Sequence, residues 1–253
     1  MNISAVILSK NEEINIEECI DSLNFCDEII VIDDNSTDET VEKAKKLGVT
    51  VYTNSLNDDF SAQRNFALDK ASGKWILFLD ADERVTADLK EEILRVISQS
   101  NKNGFYLTRQ AILFGKKLRF GEYSSGGPFA NQKLLRLAKK GTGKWKRAVH
   151  EHWEIRGDIG TLRFELLHFP HPTIKDFVDH LNYFSTIHAK SVIQEGKTPD
   201  MFKVICWPIL KFLYNIFIRC SFRDGLEGVI TTVMMSFHSF LAWSKAWIIK
   251  NRN

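Results

Sequence analysis

Two acidic clusters carry the strongest chemical signal in this sequence. Asp80 and Asp82, with Ala81 between them, follow directly on the apolar run Trp75-Ile76-Leu77-Phe78-Leu79. Two carboxylates at that spacing can share a divalent cation, directly or through water. Mg²⁺ and Mn²⁺ are hard ions that also take diphosphate oxygens as ligands, so the pair suits chemistry on a nucleotide diphosphate. The metal would neutralise charge building on a departing diphosphate, acting as a Lewis acid. Asp33 and Asp34 end another apolar run and lead into Asn35-Ser36-Thr37-Asp38. A carboxylate there can accept a hydrogen bond from a ribose hydroxyl or a base N–H, as acids at strand ends do in nucleotide folds. An Asp-x-Asp triplet alone fits a solvated turn better. Its place after a buried-looking strand, with a second acidic cluster nearby, favours a metal site.

The elements that must hold these acids follow from periodicity. Residues 3–8 form a continuous apolar run, as expected for a strand covered on both faces. Asn11 is placed to cap a helix bearing Ile16, Cys19, Ile20 and Leu23 on one face, with Glu12 and Glu13 in its first turn. Residues 28–33 form a second strand. Ser36, three residues before Glu39, reads as a capping box opening a helix that Gly48 ends. Residues 49–53, 61–71 and 75–79 read as strand, helix and strand, and Thr86 as the cap of a helix carrying Leu89, Ile93, Val96 and Ile97. Strands and helices joined this closely predict a parallel, doubly wound sheet, in which ligands bind beyond the carboxyl ends of the strands. Both acidic clusters fall at such ends.

From about 103 to 168 the pattern changes to short β-like runs between Gly-rich and Lys-rich turns, a mixed extension that would complete a pocket. Residues 173–195 read as a helix. The last fifty residues are dense in large apolar side chains, interrupted by Lys, Arg and Pro208. Lys203, Lys211, Arg219 and Arg223 fall on one row of four-residue steps with Asn215 between them. No stretch offers about twenty uninterrupted apolar residues, so two helices lying on a membrane surface, basic row toward the headgroups, fit better than a spanning helix. The expected domains are 1–170, with halves at 1–100 and 101–170, and a helical extension at 171–253.

Bulk properties exclude several classes. With 44% hydrophobic and 26% charged residues the chain is not of disordered type, and a formal net charge of +2 gives no reason to expect nucleic acid. Cys19, Cys26, Cys206 and Cys220 lack zinc-like or Cys-x-x-Cys spacing, and read as reduced thiols of a cytosolic protein. The N-terminal apolar run is too short for a signal peptide.

Four segments in order, Ala5-Val6-Ile7-Leu8-Ser9-Lys10-Asn11-Glu12-Glu13, Val31-Ile32-Asp33-Asp34-Asn35-Ser36-Thr37-Asp38, Gln63-Arg64-Asn65-Phe66-Ala67-Leu68 and Leu77-Phe78-Leu79-Asp80-Ala81-Asp82-Glu83, resemble glycosyltransferase family 2. That resemblance implies the GT-A fold, a Rossmann-like mixed sheet, and inverting transfer from a nucleotide-diphosphate sugar with a divalent metal. It implies that Ser9, Asn11 and Glu12, in the loop after the first strand, hold the nucleoside together with Asp33 or Asp34. Asp80, Ala81 and Asp82 would serve diphosphate and metal, with Asp80 and Asp82 as ligands. Arg64 would face the donor phosphates, which a guanidinium suits geometrically.

An inverting transfer needs a base for the acceptor hydroxyl. Val149-His150-Glu151 resembles the pattern by which one branch of the family supplies it, which makes Glu151 the candidate and His150 a shaping or metal-side residue beside it. The Glu-Asp pair common in the family is absent. Lys133-Leu134-Leu135-Arg136-Leu137, Leu167-His168-Phe169 and Phe222-Arg223-Asp224-Gly225-Leu226-Glu227-Gly228 are similar to lipopolysaccharide-core β-1,4-glucosyltransferases. This branch implies a UDP-sugar donor, first UDP-glucose, a glycolipid or oligosaccharide acceptor, and a peripheral place on the inner face of the cytoplasmic membrane. His168 and His171 could position acceptor or metal, or be structural; Trp145 and Trp153 could stack on a sugar or fill the core. Two alternatives stand beside this: a sugar-phosphate nucleotidyltransferase, which would show a Gly-rich basic loop where Ser9-Lys10-Asn11-Glu12-Glu13 stands, and a non-catalytic sugar-binding protein at a membrane surface.

Overall fold

The computed structural model describes residues 2–123, 133–148, 151–171 and 173–252. The chain divides into two compact units, Met1–Arg109 with Gln132–His168, and Gln110–Asn131 with Phe169–Asn253.

In the first unit, strands β1 (Ile3–Ser9), β2 (Glu28–Asp33), β3 (Thr50–Thr53) and β4 (Trp75–Asp80) pair in parallel in the order β3-β2-β1-β4. Beyond β4 the sheet continues through β8 (Lys133–Lys139), β6 (Gly104–Leu113), β11 (Ile159–His168) and β5 (Glu83–Val85), with β8 antiparallel to β4 and β6, and β11 antiparallel to β5. This is the expected mixed sheet.

Period-2 alternation sorts β4 between two cores. Trp75, Leu77 and Leu79 face helices α1 (Ile16–Asp21), α2 (Thr40–Lys46) and α4 (Ala87–Gln99), while Ile76 and Phe78 face α3 (Phe60–Lys70) and a hairpin of β9 (Gly143–Lys146) and β10 (His152–Ile155). Asp80 shares the parity of Phe78, so its side chain emerges on the α3 side.

Two caps differ from the expectation, for one reason. Asn11 has φ 54°, a left-handed conformation Asn tolerates, and its side-chain oxygen accepts from Thr37 N at 2.8 Å. It therefore ties two loops together, and α1 starts only at Ile16. The Ser36 hydroxyl donates to Asp33 Oδ1 at 2.5 Å and accepts from Asn11 N at 2.8 Å, which leaves it no role as a cap. Asp38 instead accepts from Thr40 N, and α2 begins at Thr40. Thr86 does cap α4, accepting from Leu89 N.

In the second unit the end of β6 pairs with β7 (Lys116–Lys117). Helix α5 (Ile174–Gln194) buries Phe177, Leu181, Ser185, Ala189 and Val192 along one stripe. Helix α7 (Leu226–Arg252) buries small residues, Thr231, Thr232, Ser236, Ala242 and Ala246, which lets a neighbouring helix approach closely. The turn before α7 is held by Asp224, which accepts from Arg119 N at 2.8 Å and Phe120 N at 2.7 Å. Gly228 is required there: a Cβ would lie 2.0 Å from the Ser221 carbonyl oxygen.

Between α5 and α7 the chain is helical from 202 to 218, with wide turns at Phe202–Cys206 and Tyr214–Ile218 flanking α6 (Trp207–Leu213). Of the basic row, expected to point outward, only Arg223 is exposed; the other three are half-buried and turned to protein partners. Lys211 pairs with Glu122 at 3.0 Å, Asn215 is buried, Arg219 bonds the Gly121 carbonyl, and Lys203 lies 5.4 Å from the Trp243 ring. The exposed side is apolar instead: Phe202, Ile205, Ile209, Leu210, Leu213, Phe217 and Ile218. Burying the charges against protein acceptors turns the hydrophobic face outward. Among the described residues no helix is long and apolar enough to cross a membrane.

Candidate active site

The carboxyl ends of β1, β2 and β4 coincide because of register: Ser9 pairs with Asp33, and Leu8 with Asp80. The β11–β5 ladder sets His168 opposite Glu83, bringing the His168 Nε2 to 3.1 Å from Asp82 Oδ2. The other Asp82 oxygen, Oδ1, is buried and has no hydrogen-bond partner. A buried unpaired carboxylate oxygen is costly unless something fills it. Burial pushes the Asp82 carboxyl up, but the facing His168 outweighs it and holds the group below its ordinary value.

Asp80 meets different surroundings. Arg136 places Nη2 at 2.6 Å from Oδ2 and Nη1 at 3.4 Å from Oδ1, while Arg64 Nη2 lies 2.9 Å from Oδ1. Burial again acts upward, yet the two guanidiniums hold this carboxyl far below the carboxylate range. Arg64 reaches further, with Nε 3.1 Å from Glu151 Oε1, so one guanidinium links the candidate base to the acidic pair. It lies 4.7 Å over the Trp145 ring. Trp145 and Trp153 are a directly paired β9–β10 couple, stacked at 5.3 Å and buried; they belong to the core beneath Arg64.

Arg64 sits in a run of three residues with separate duties. Gln63 donates to the Asn54 carbonyl, and Asn65 makes both hydrogen bonds of a strand edge with the Trp145 backbone, each at 3.0 Å. The helix thereby fixes the hairpin that leads toward Glu151. His150 lies outside the described residues.

The first-strand loop and the Asp33-Asp34 turn are laced together. Asp33 is buried and accepts from Ser36 N and from the hydroxyls of Ser36 and Ser9. Asp34 accepts from Leu56 N at 2.8 Å and from Lys10 Nζ at 2.7 Å. Most of the hydrogen-bonding capacity of these two acids is thus spent on holding the two loops together. Glu12 accepts from Asn15 Nδ2, and burial followed by the charge of Asp82 pushes its carboxyl up to about 7. Ala81 points its methyl into the core, with N–H bound to Leu8 O and carbonyl to Arg84 Nη1.

Sequence reasoning passed over Arg136, Glu83 and Arg84. A single Arg inside the apolar strand Lys133-Leu134-Leu135-Arg136-Leu137 was the available signal, since a buried charge needs a partner.

The open Asp82 Oδ1 is a hard oxygen donor and fits an ion such as Mn²⁺ or Mg²⁺. Among the described residues no three His, Cys, Asp or Glu side chains converge as a finished ligand set, because Asp80 is taken up by the arginines.

A mixed α/β sheet with acids at the carboxyl ends of its parallel strands is a fold class that takes its ligands beyond those strand ends. The family model described as Glycosyl transferase family 2 matches residues 4–152, and the chain belongs to that family. It is 30% identical over 253 residues to the lipopolysaccharide core biosynthesis glycosyltransferase LpsC of Rhizobium meliloti (strain 1021), covering 97% of this chain and 92% of that protein. An uncharacterized glycosyltransferase of Rickettsia bellii (strain RML369-C) is 30% identical over 251 residues, covering 96% and 85%. S. aureus TarS 1-349 in complex with UDP aligns with a TM-score of 0.51 at 14% identity, covering 100% of this chain and 92% of that one. The glucosyl-3-phosphoglycerate synthase of Mycobacterium tuberculosis in complex with Mn²⁺, UDP and phosphoglyceric acid gives 0.50 at 18% identity, covering 81% of each. At such identities these structures speak for the fold, which is GT-A. The protein is a glycosyltransferase.

Proposed function

We propose that this enzyme is an inverting, metal-dependent transferase that moves a hexose, first of all glucose, from a UDP-sugar to a hydroxyl of a membrane-held glycan such as lipopolysaccharide core. The observation carrying this is the linked set Glu151–Arg64–Asp80 beside Asp82–His168, all at the carboxyl edge of the parallel strands. The names of LpsC and of the UDP-bound GT-A structures support the donor and the acceptor class.

Asp82 and His168, joined by Asp80, would hold Mg²⁺ or Mn²⁺, which when bound supplies Lewis acidity at the diphosphate. Asp33, Asp34 and the Ser9–Asn11–Glu12 loop orient the nucleoside. Arg64 presents Nη1, a buried donor with no acceptor, to the diphosphate and keeps Glu151 oriented through Nε. Glu151 takes the proton of the acceptor hydroxyl as that oxygen attacks the anomeric carbon from the face opposite the leaving group. The exposed apolar side of the 202–218 helix supports a peripheral place on the inner face of the cytoplasmic membrane, reached by hydrophobic contact.

The test is release of UDP from UDP-sugars, with and without Mn²⁺, in the wild type and in Glu151→Gln. Metal-dependent release by the wild type is expected, with Glu151→Gln binding donor normally but transferring about a hundredfold less or lower still. Pyrophosphate release from nucleotide and sugar phosphate would replace this reading by a nucleotidyltransferase, and undiminished transfer by Glu151→Gln would move the base elsewhere.

A further inference from the structure

We propose that Arg136 is a positioning residue that withholds Asp80 from the metal until the donor's diphosphate arrives, so that metal and donor bind as a coupled pair. The inference rests on the reading that this site takes a divalent cation and a UDP-sugar.

The geometry carries it. Both oxygens of Asp80 are occupied by guanidinium nitrogens, Oδ2 by Arg136 at 2.6 Å and Oδ1 by Arg64 at 2.9 Å. The two guanidiniums are only 6% and 3% exposed, while the Asp80 side chain between them is 32% exposed and so open to an incoming ligand. Arg136 is held from behind by Glu83, whose Oε1 lies 3.7 Å from Nη2, while Glu83 Oε2 accepts the Asp80 N–H at 2.9 Å. A dication approaching Asp80 alone would meet two buried positive charges and would have to displace charge-assisted hydrogen bonds.

Two unmet groups of opposite kind show what relieves this. Arg64 Nη1 is a buried donor without an acceptor, and Asp82 Oδ1 is a buried acceptor without a donor. A metal ion alone would satisfy the second and repel the guanidinium that bears the first. A diphosphate alone would satisfy the first and repel the second. The two together would satisfy both: phosphate oxygens would accept from the arginine N–H groups, and Asp80, released from them, would be free to face the cation. Arg136 sets the strength of this exchange because it supplies the bidentate share of the clamp. By linkage, metal and nucleotide must then raise each other's affinity by the same factor.

The experiment is a Mn²⁺ titration of the full chain by calorimetry and by electron paramagnetic resonance, with and without saturating UDP. In the wild type UDP should tighten Mn²⁺ binding by roughly 5- to 150-fold, the usual span of coupling between sites. Arg136→Met should bind Mn²⁺ alone more tightly than the wild type, and UDP should add little. Arg136→Lys, which keeps the charge and loses the fork, should fall between, and it carries the test if Arg136→Met does not fold. A wild type whose Mn²⁺ affinity ignores UDP overturns the proposal, as does an arginine variant whose affinity for Mn²⁺ alone is unchanged or weaker. Absence of Mn²⁺ binding even with UDP would defeat the underlying metal reading as well. Strong Mn²⁺–UDP coupling that survives in Arg136→Met would defeat only the role of Arg136.

Discussion

Asp80 and Asp82 are two peptide units apart and identical in chemistry, yet one lies between guanidiniums and the other against an imidazole. A triplet motif cannot distinguish them, because the difference is made by residues from β8, α3 and β11. Glu12 shows the same dependence on neighbours. Burial and the nearby Asp82 push its carboxyl from 4.5 to about 7, so the folded chain retains a proton that the unfolded chain has lost. Stability from this group is full below pH 4.5 and is lost as pH rises through about 7. Glu12→Gln, which stays neutral, should therefore melt higher than the wild type above pH 7 and almost with it at pH 5. Melting curves that run parallel from pH 5 to 8 would show that Glu12 is not the titrating group.

At the scale of elements, the segment Phe222-Arg223-Asp224-Gly225-Leu226-Glu227-Gly228 has a structural duty. Asp224 is buried and accepts two backbone N–H groups, Arg223 lies 4.5 Å over the Phe120 ring, and Gly228 lets α7 pass against Ser221. Asp224→Ala would leave the N–H groups of Arg119 and Phe120 unpaired. Hydrogen bonds to a charged acceptor are worth about 1.5–3 kcal/mol each, so a loss of about 3 kcal/mol is expected in urea unfolding. A loss under about 1 kcal/mol would mean that other groups hold the turn. The wide turns in the 202–218 helix belong to this scale too. They rotate Lys211, Asn215 and Arg219 onto protein partners, which a strict four-residue row read from sequence left facing headgroups.

For the whole molecule, the consequence is a surface defined by what the charges no longer cover. Met201 is 77% exposed and Phe217 66%, and the side chains between them include Trp207, Ile209 and Leu213. If this face enters a lipid interface, binding to vesicles should survive 0.5 M salt and differ little between neutral and anionic lipid, because only Arg223 of the basic row is exposed. Phe217→Asp combined with Ile209→Asp should abolish flotation with vesicles while UDP release from the donor continues. Flotation lost in salt, or retained by the double variant, would return the interaction to electrostatics or to another face.

The family, the parallel half of the sheet and the position of both acidic clusters were legible in residues alone. Continuous apolar runs, short connections and acids at run ends are local facts, and parallel pairing leaves them one consistent arrangement. What the chain order could not supply is which distant side chains share a dielectric. Arg136 is 56 residues from Asp80, His168 is 86 from Asp82, and Glu151 is 87 from Arg64. The loop residues differ for a related reason. Asn11 and Ser36 have good capping side chains, but each has few lone pairs, and contacts 25 or 26 residues away claimed them before the nearby helix could. Local propensity proposes such partners; only folding in three dimensions decides the competition, because the strongest available acceptor or charge takes the group.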